Sequence, residues 1–167
     1  MSTHTNMGFN AGDHVVYPTH GVGTIIGFEC QAISGMSINL VVVEFERDRM
    51  TLRVPLTKAT ASGLRRLSTK DDMNLALTNL SKPTKIRKSM WSRRAQEYEM
   101  KINSGNPATI AEVVRELYKD DDADRSYSER QMYQAALKRL AREFAAVEKI
   151  DESSAAQRLE DLMRKVA

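Results

Sequence analysis

The periodicity of the apolar residues changes once along this 167-residue chain, near residue 68, and that change limits the fold to two kinds of layer. From about 13 to 67 the apolar residues alternate or run in short β-branched blocks. "HVVYP" (14–18) reads as a short strand closed by Pro18. "TIIGFECQAI" (24–33) reads as a strand bent or bulged at Gly27, and "INLVVVEFE" (38–46) is the strongest strand signal. "THGVG", "SGMS" (34–37) and "RDRM" (47–50) are turn sequences. "TLRVP" (51–55) is a strand stopped by Pro55, and "GLRRL" (63–67) supplies a last short one. Five short strands at this spacing predict a small, strongly bent antiparallel barrel of the SH3 or Tudor kind. Within "TLRV" the two-residue period places Thr51 and Arg53 on one face, Leu52 and Val54 on the other.

Beyond residue 70 the period is 3.6, which predicts helices near 71–81, 87–103, 107–119, 127–149 and 153–166. Gly105 reads as a helix stop, Asn106 as the next N-cap and Pro107 as the first helical residue. Ser126 with Glu129 forms a capping-box pattern. Met132, Ala135, Ala136, Leu140, Phe144 and Val147 make a core stripe, and "KDDDADR" (119–125) reads as a polar loop. The predicted class is α+β in two domains, the barrel first and then a compact all-α domain of about five helices. The expected boundaries are a disordered lead-in at 1–7, the barrel at 8–67 and the helical domain at 68–167.

Charge is unevenly spread. The chain carries a net +3, yet residues 82–101 alone hold seven Lys/Arg against Glu97 and Glu99. A local basic segment in an otherwise near-neutral chain points to a polyanion contact at one place. No apolar run approaches the roughly 20 residues that span a membrane, and "MSTHTNMGFN" lacks the basic-then-apolar order of a secretion signal. With Cys30 alone no internal disulfide is possible, and a reducing cytoplasm is the expected location. His14, His20 and Cys30 match no zinc-ligand spacing, so no metal or other cofactor is expected. "GVGTIIG" (21–27) mimics a nucleotide loop, but its spacing is wrong and a β-branched run follows where a helix N-terminus is needed. No catalytic motif is present, and a non-enzyme is expected.

The basic segment contains the only tryptophan, in "KSMWSRRAQEYE" (88–99). On a helix Trp91, Ala95, Tyr98 and Ile102 fall on one apolar stripe, so helical spacing makes Trp91 the end of a core face. Arg94 lies three residues on, beside it, and Arg87 four residues before. Two other readings are open: a stacking platform for a protein partner, or an aromatic wedge for the DNA minor groove with cations on the flanking phosphates.

The stretches "GDHVVYPTHGVGTIIG", "VVVEFERDRMTLRVP", "GLRRL", "MWSRRAQEYEMKINSG" and "IAEVVRELY" together resemble the CarD family, also called CdnL, of bacterial RNA polymerase-binding transcription regulators. The resemblance runs from about Phe9 to the end. The family's N-terminal module is shared with the transcription-repair coupling factor, a translocase, but this chain has no Walker motif and is far shorter. The resemblance implies a Tudor-like domain at 8–67 that binds the polymerase β subunit, in its lobe and protrusion region, by joining strands edge to edge. The arginine of the family's R-V-P motif matches Arg53, and the implied contact set is Arg53, Thr51, Arg49 and Gln31. Gln31 stands where some members carry arginine. The helical domain is implied to hold promoter DNA near the minus-ten element. There Trp91 would act as the minor-groove wedge, with Arg93, Arg94, Lys88, Arg87 and Lys85 on the backbone. Gln96 replaces a lysine found in some members. The implied function is a monomeric regulator that stabilises the open complex without reading sequence. The alternatives are a polymerase-independent architectural DNA-binding protein and a protein-interaction adaptor with a buried tryptophan.

Overall fold

The computed structural model describes residues 8–83, 89–121, 123 and 125–165. The chain divides into two compact units, residues 1–67 and 68–167.

The first unit is an antiparallel sheet of β1 (His14–Tyr17), β2 (Gly21–Ile33), β3 (Met36–Phe45), β4 (Met50–Pro55) and β5 (Arg65–Arg66), in the order β4-β3-β2-β1-β5. The β-branched run of β3 explains its place between two partners. Val41, Val43 and Phe45 are fully covered, packed with Ile25 of β2 and Val54 of β4. Each such side chain contributes about 1.5–3 kcal/mol on burial. The β2–β3 turn is built by Ser34 and Gly35, both at positive φ (52° and 80°) between the paired residues Ile33 and Met36. Two left-handed residues match the twist of the strands they join. The register slips between Ile25 and Gly27, the bulge predicted at that glycine.

The expected turn "THGVG" is corrected in part. The turn ends at His20, whose N–H donates to the Tyr17 carbonyl at 3.0 Å, and Gly21 to Gly23 already belong to β2. Gly23 serves packing: a Cβ there would stand 2.8 Å from both Val43 Cγ1 and Phe45 Cε1. His14 lies in β1 with Nδ1 3.3 Å from Thr24 Oγ1, His20 stacks on Tyr17, and Cys30 is exposed. Among the described residues no three potential metal ligands converge.

The second unit contains α1 (Lys70–Leu77), α2 (Trp91–Asn103), α3 (Pro107–Leu117), α4 (Tyr127–Glu148) and α5 (Glu152–Arg164). Short polar side chains cap four of them. Thr69 accepts from the Asp72 N–H, Asn106 from Ala108 and Thr109, Ser126 from Glu129, and Asp151 from Ser154. The Glu129 carboxylate of the expected capping box pairs with Lys119 at 3.3 Å. α3 packs on α1, α2 and α4, and its Ile110, Val113, Val114 and Leu117 form the middle of the core. On α4 the buried row runs through Tyr133, Ala136, Leu137, Leu140 and Phe144, whereas Ala135 is exposed.

Two expectations change here. The second helix begins at Trp91, not near 87; Met90 is extended (φ −59°, ψ 140°) and makes no side-chain cap. Helices gain stability chiefly from an apolar face on the core, and Met90, just before the helix, is 78% exposed; residues 84–88 lie outside the described residues. The polar loop 119–125 also hides a structural residue. Arg125 is buried, its guanidinium 4.0 Å over the Tyr133 ring. It donates to the Leu117 carbonyl at 3.0 Å and the Lys119 carbonyl at 3.1 Å, closing the C-terminus of α3.

Candidate functional site

In the first unit the candidate residues gather around β4. This strand ends the sheet order, so among the described residues one side of its backbone has no strand partner. Such an edge offers N–H and C=O groups to an incoming strand. Thr51 and Arg53 are exposed on β4, while Val54 on the opposite face is buried, as the two-residue period requires. Arg53 Nε donates to Glu29 Oε2 at 2.9 Å, and Nη2 reaches Oε1 at 3.4 Å. Arg53 stands opposite Val42 and Glu29 opposite Leu40, so the ion pair bridges β3 from β4 to β2. Gln31, exposed two residues along β2, also hydrogen-bonds Glu29. The Arg53 hydrogen bond, more than any other neighbour, holds the Glu29 carboxyl below its ordinary value. The two side chains stay 47% and 41% exposed, so solvent screens the pair and it adds little to folding. Its effect is to fix where the guanidinium stands. Arg49 sits apart, at a left-handed position in the β3–β4 turn.

In the second unit the basic segment meets the start of α2. Lys85, Arg87 and Lys88 lie outside the described residues. Arg115 Nε donates to the Lys82 carbonyl at 2.9 Å and ties the start of that segment to α3. Trp91 is the first residue of α2, only partly covered, and packs on the rim of the helical core. Further along the same stripe Tyr98 and Ile102 are buried, and Ala95 is half-buried. Arg93 is exposed and Gln96 is exposed.

Arg94 behaves differently from Arg93. Its guanidinium lies against two aromatic rings, with Cζ 5.7 Å from the Trp91 centroid and 5.5 Å from that of Tyr98. Its Nη2 donates to the Tyr98 hydroxyl at 2.9 Å. Trp91 and Tyr98 themselves lie 6.2 Å apart, tilted by 52°. Burial is the main cause that pushes the Tyr98 phenol above its ordinary value, so it stays neutral and able to bond.

Comparison with known proteins covers both units. Residues 9–68 match the family profile "CarD-like/TRCF RID domain", and residues 76–160 match "CarD, C-terminal domain". The chain belongs to the CarD/CdnL family. The family is one of transcription factors that interact with RNA polymerase. Among relatives, YdeB of Bacillus subtilis, described as a candidate transcription factor, is 26% identical over 145 residues, 86% of this chain and 95% of that one. The solution structure of the 72-residue N-terminal domain of Myxococcus xanthus CarD shares 31% identity, covering 35% of this chain and 77% of that one, with a TM-score of 0.31.

Sequence reasoning singled out Arg53 but not Glu29. Glu29 and Gln31 alternate on β2, which is legible, but pairing with Arg53 requires the β3 register between them. Arg94 was expected beside Trp91 from the helical spacing. That it turns inward to Tyr98 depends on a ring anchored by the rest of the core.

Proposed function

We propose that this protein is a non-enzymatic transcription regulator that docks on the β subunit of RNA polymerase and stabilises the promoter open complex from the upstream edge of the bubble. The observation that carries this reading is the state of Trp91. It opens α2 partly exposed, with Met90 (78% exposed) before it and the exposed Arg93 after it, while Tyr98 and Ile102 on its stripe are buried. An apolar tip beside a cation at a helix N-terminus suits a minor groove. The side chain enters at an easily unstacked step, and the cation and the helix dipole favour the flanking phosphates.

In this mechanism the edge of β4 pairs with a strand of the β lobe and protrusion region. Arg53, oriented by Glu29, adds a charged contact, with Thr51, Arg49 and Gln31 around it. The helical unit then meets promoter DNA near the minus-ten element. Trp91 fills the widened groove and opposes reclosure. Phosphate contacts from Arg93, and from Lys85, Arg87 and Lys88, are sequence-blind. Such a wedge with two or three phosphate contacts is worth on the order of a few kcal/mol, enough to lengthen a bubble lifetime without selecting a promoter. The protein works as a monomer in the cytoplasm and needs no cofactor.

Trp91→Ala should shorten open-complex lifetime about tenfold or more and leave polymerase binding intact; equal lifetimes would end the wedge reading. Arg53→Glu reverses the charge beside the free edge and should abolish capture of the β subunit in a pull-down; unchanged capture would overturn that docking site. The contact of Trp91 with the core rim favours one rival, an adaptor whose tryptophan is structural. That rival predicts blue-shifted emission resistant to acrylamide.

A further inference from the structure

We propose that Arg94 is a positioning residue for Trp91 and not a phosphate ligand. The inference deepens the wedge reading and, for its DNA arm, rests on it. Arg93 and Arg94 are adjacent in sequence and identical in type, yet they stand in different environments. Arg93 is exposed; Arg94 is half-buried, its guanidinium in cation–π contact with both Trp91 and Tyr98 and bonded to the Tyr98 hydroxyl.

Three features make Arg94 a strut. First, its far end is fixed. Tyr98 is 3% exposed and belongs to the helical core, and its hydroxyl accepts from Arg94. A connected path therefore runs from the helical core through the phenol and the guanidinium to the indole. Second, the edge of the guanidinium most useful for a phosphate is closed. Arginine grips a phosphate best with two parallel N–H groups. In Arg94 the Nε is buried and has no hydrogen-bond partner among the described residues, while one Nη donates to Tyr98. Third, the indole needs an orienting contact. Trp91 is the first helical residue, preceded by an exposed Met90 that makes no side-chain cap. Besides its contact with the rim of the core, the ring of Tyr98 and the guanidinium flank it. A wedge that enters a groove pays less for ordering if the ring is already held at the angle it uses.

Lysine separates the two roles, because an ammonium binds phosphate as a point charge but lacks the planar face that stacks. The test uses full-length Arg94→Lys, Arg94→Gln and Arg93→Gln, with far-UV circular dichroism to confirm folding. Trp91 is the sole tryptophan, so fluorescence anisotropy and acrylamide quenching of the free protein report on it alone. Arg94→Lys should lower Trp91 anisotropy and raise its quenching constant about twofold, as should Arg94→Gln, while Arg93→Gln leaves both unchanged. On a duplex with a preopened upstream fork, Arg93→Gln should reduce the salt slope of binding by about 0.9. Arg94→Lys should leave the slope alone and still shorten open-complex lifetime about fivefold. Unchanged Trp91 fluorescence in both Arg94 variants overturns the proposal, and so does full retention of lifetime by Arg94→Lys. Trp91→Ala runs alongside. If it has no effect on lifetime the wedge reading fails, and the fluorescence arm alone then decides whether Arg94 holds the ring.

Discussion

Replacing Arg125 by methionine tests whether a buried cation closes the helical unit. The substitution keeps the apolar stem and removes the charge, the ring contact and the donors. Two carbonyls at the end of α3, those of Leu117 and Lys119, then lose the guanidinium that bonds them at 3.0 and 3.1 Å. Hydrogen bonds from a charged donor are worth about 1.5–3 kcal/mol each. A desolvated cation–π contact, here at 4.0 Å from the Tyr133 centroid, adds about 2 kcal/mol. Against this, a neutral side chain avoids several kcal/mol of desolvation. The balance is a loss of about 2–3 kcal/mol. For a unit of roughly 100 residues that lowers Tm by roughly 10–20 °C. The assay is thermal and urea unfolding of the full chain followed by Trp91 fluorescence, which reports the unit that holds Arg125. Arg125→Lys should be almost as damaging, because it restores charge without the planar face. A loss below about 0.5 kcal/mol for methionine, or full rescue by lysine, would refute the reasoning.

Two further outcomes follow from local geometry. Gly23→Ala puts a methyl into space held by Val43 and Phe45, at 2.8 Å from each. Overpacking of this kind costs about 1–3 kcal/mol, so amide exchange at Val41 and Val43 should quicken about tenfold, and unchanged protection would show that the sheet yields around the methyl. Asp151 caps α5, and the Ser154 hydroxyl and then the Ser154 N–H hold its carboxyl below the ordinary aspartate value. The cap is therefore fully present above the unfolded-state value and is lost as pH falls through the lower folded-state value. Asparagine accepts the same bond without titrating, so Asp151→Asn should flatten the acid fraying of α5 measured by amide exchange; a parallel decline in both proteins would remove that explanation.

Much of this architecture is written locally. The change from period two to period 3.6, the Asn106 and Ser126 caps, the Gly27 bulge and the Ser34–Gly35 turn each depend on residues within a few positions of one another. Backbone sterics and side-chain capping act over that range, so a linear reading finds them. The outward face of Thr51 and Arg53 follows from the pleat alone.

The tertiary structure decided what those residues touch. Glu29 and Arg53 are 24 positions apart and meet only because β3 lies between their strands. Arg125 sits in an acidic, polar stretch that reads as solvent-facing, yet the end of α3 and the ring of Tyr133 draw it inside. Trp91 and Arg94 carried a legible spacing and an illegible geometry. Spacing put them side by side on a helix; the core anchoring of Tyr98 turned one arginine of the pair inward and left Arg93 facing solvent. Local pattern fixes which face a side chain leaves from, and long-range packing fixes which group receives it.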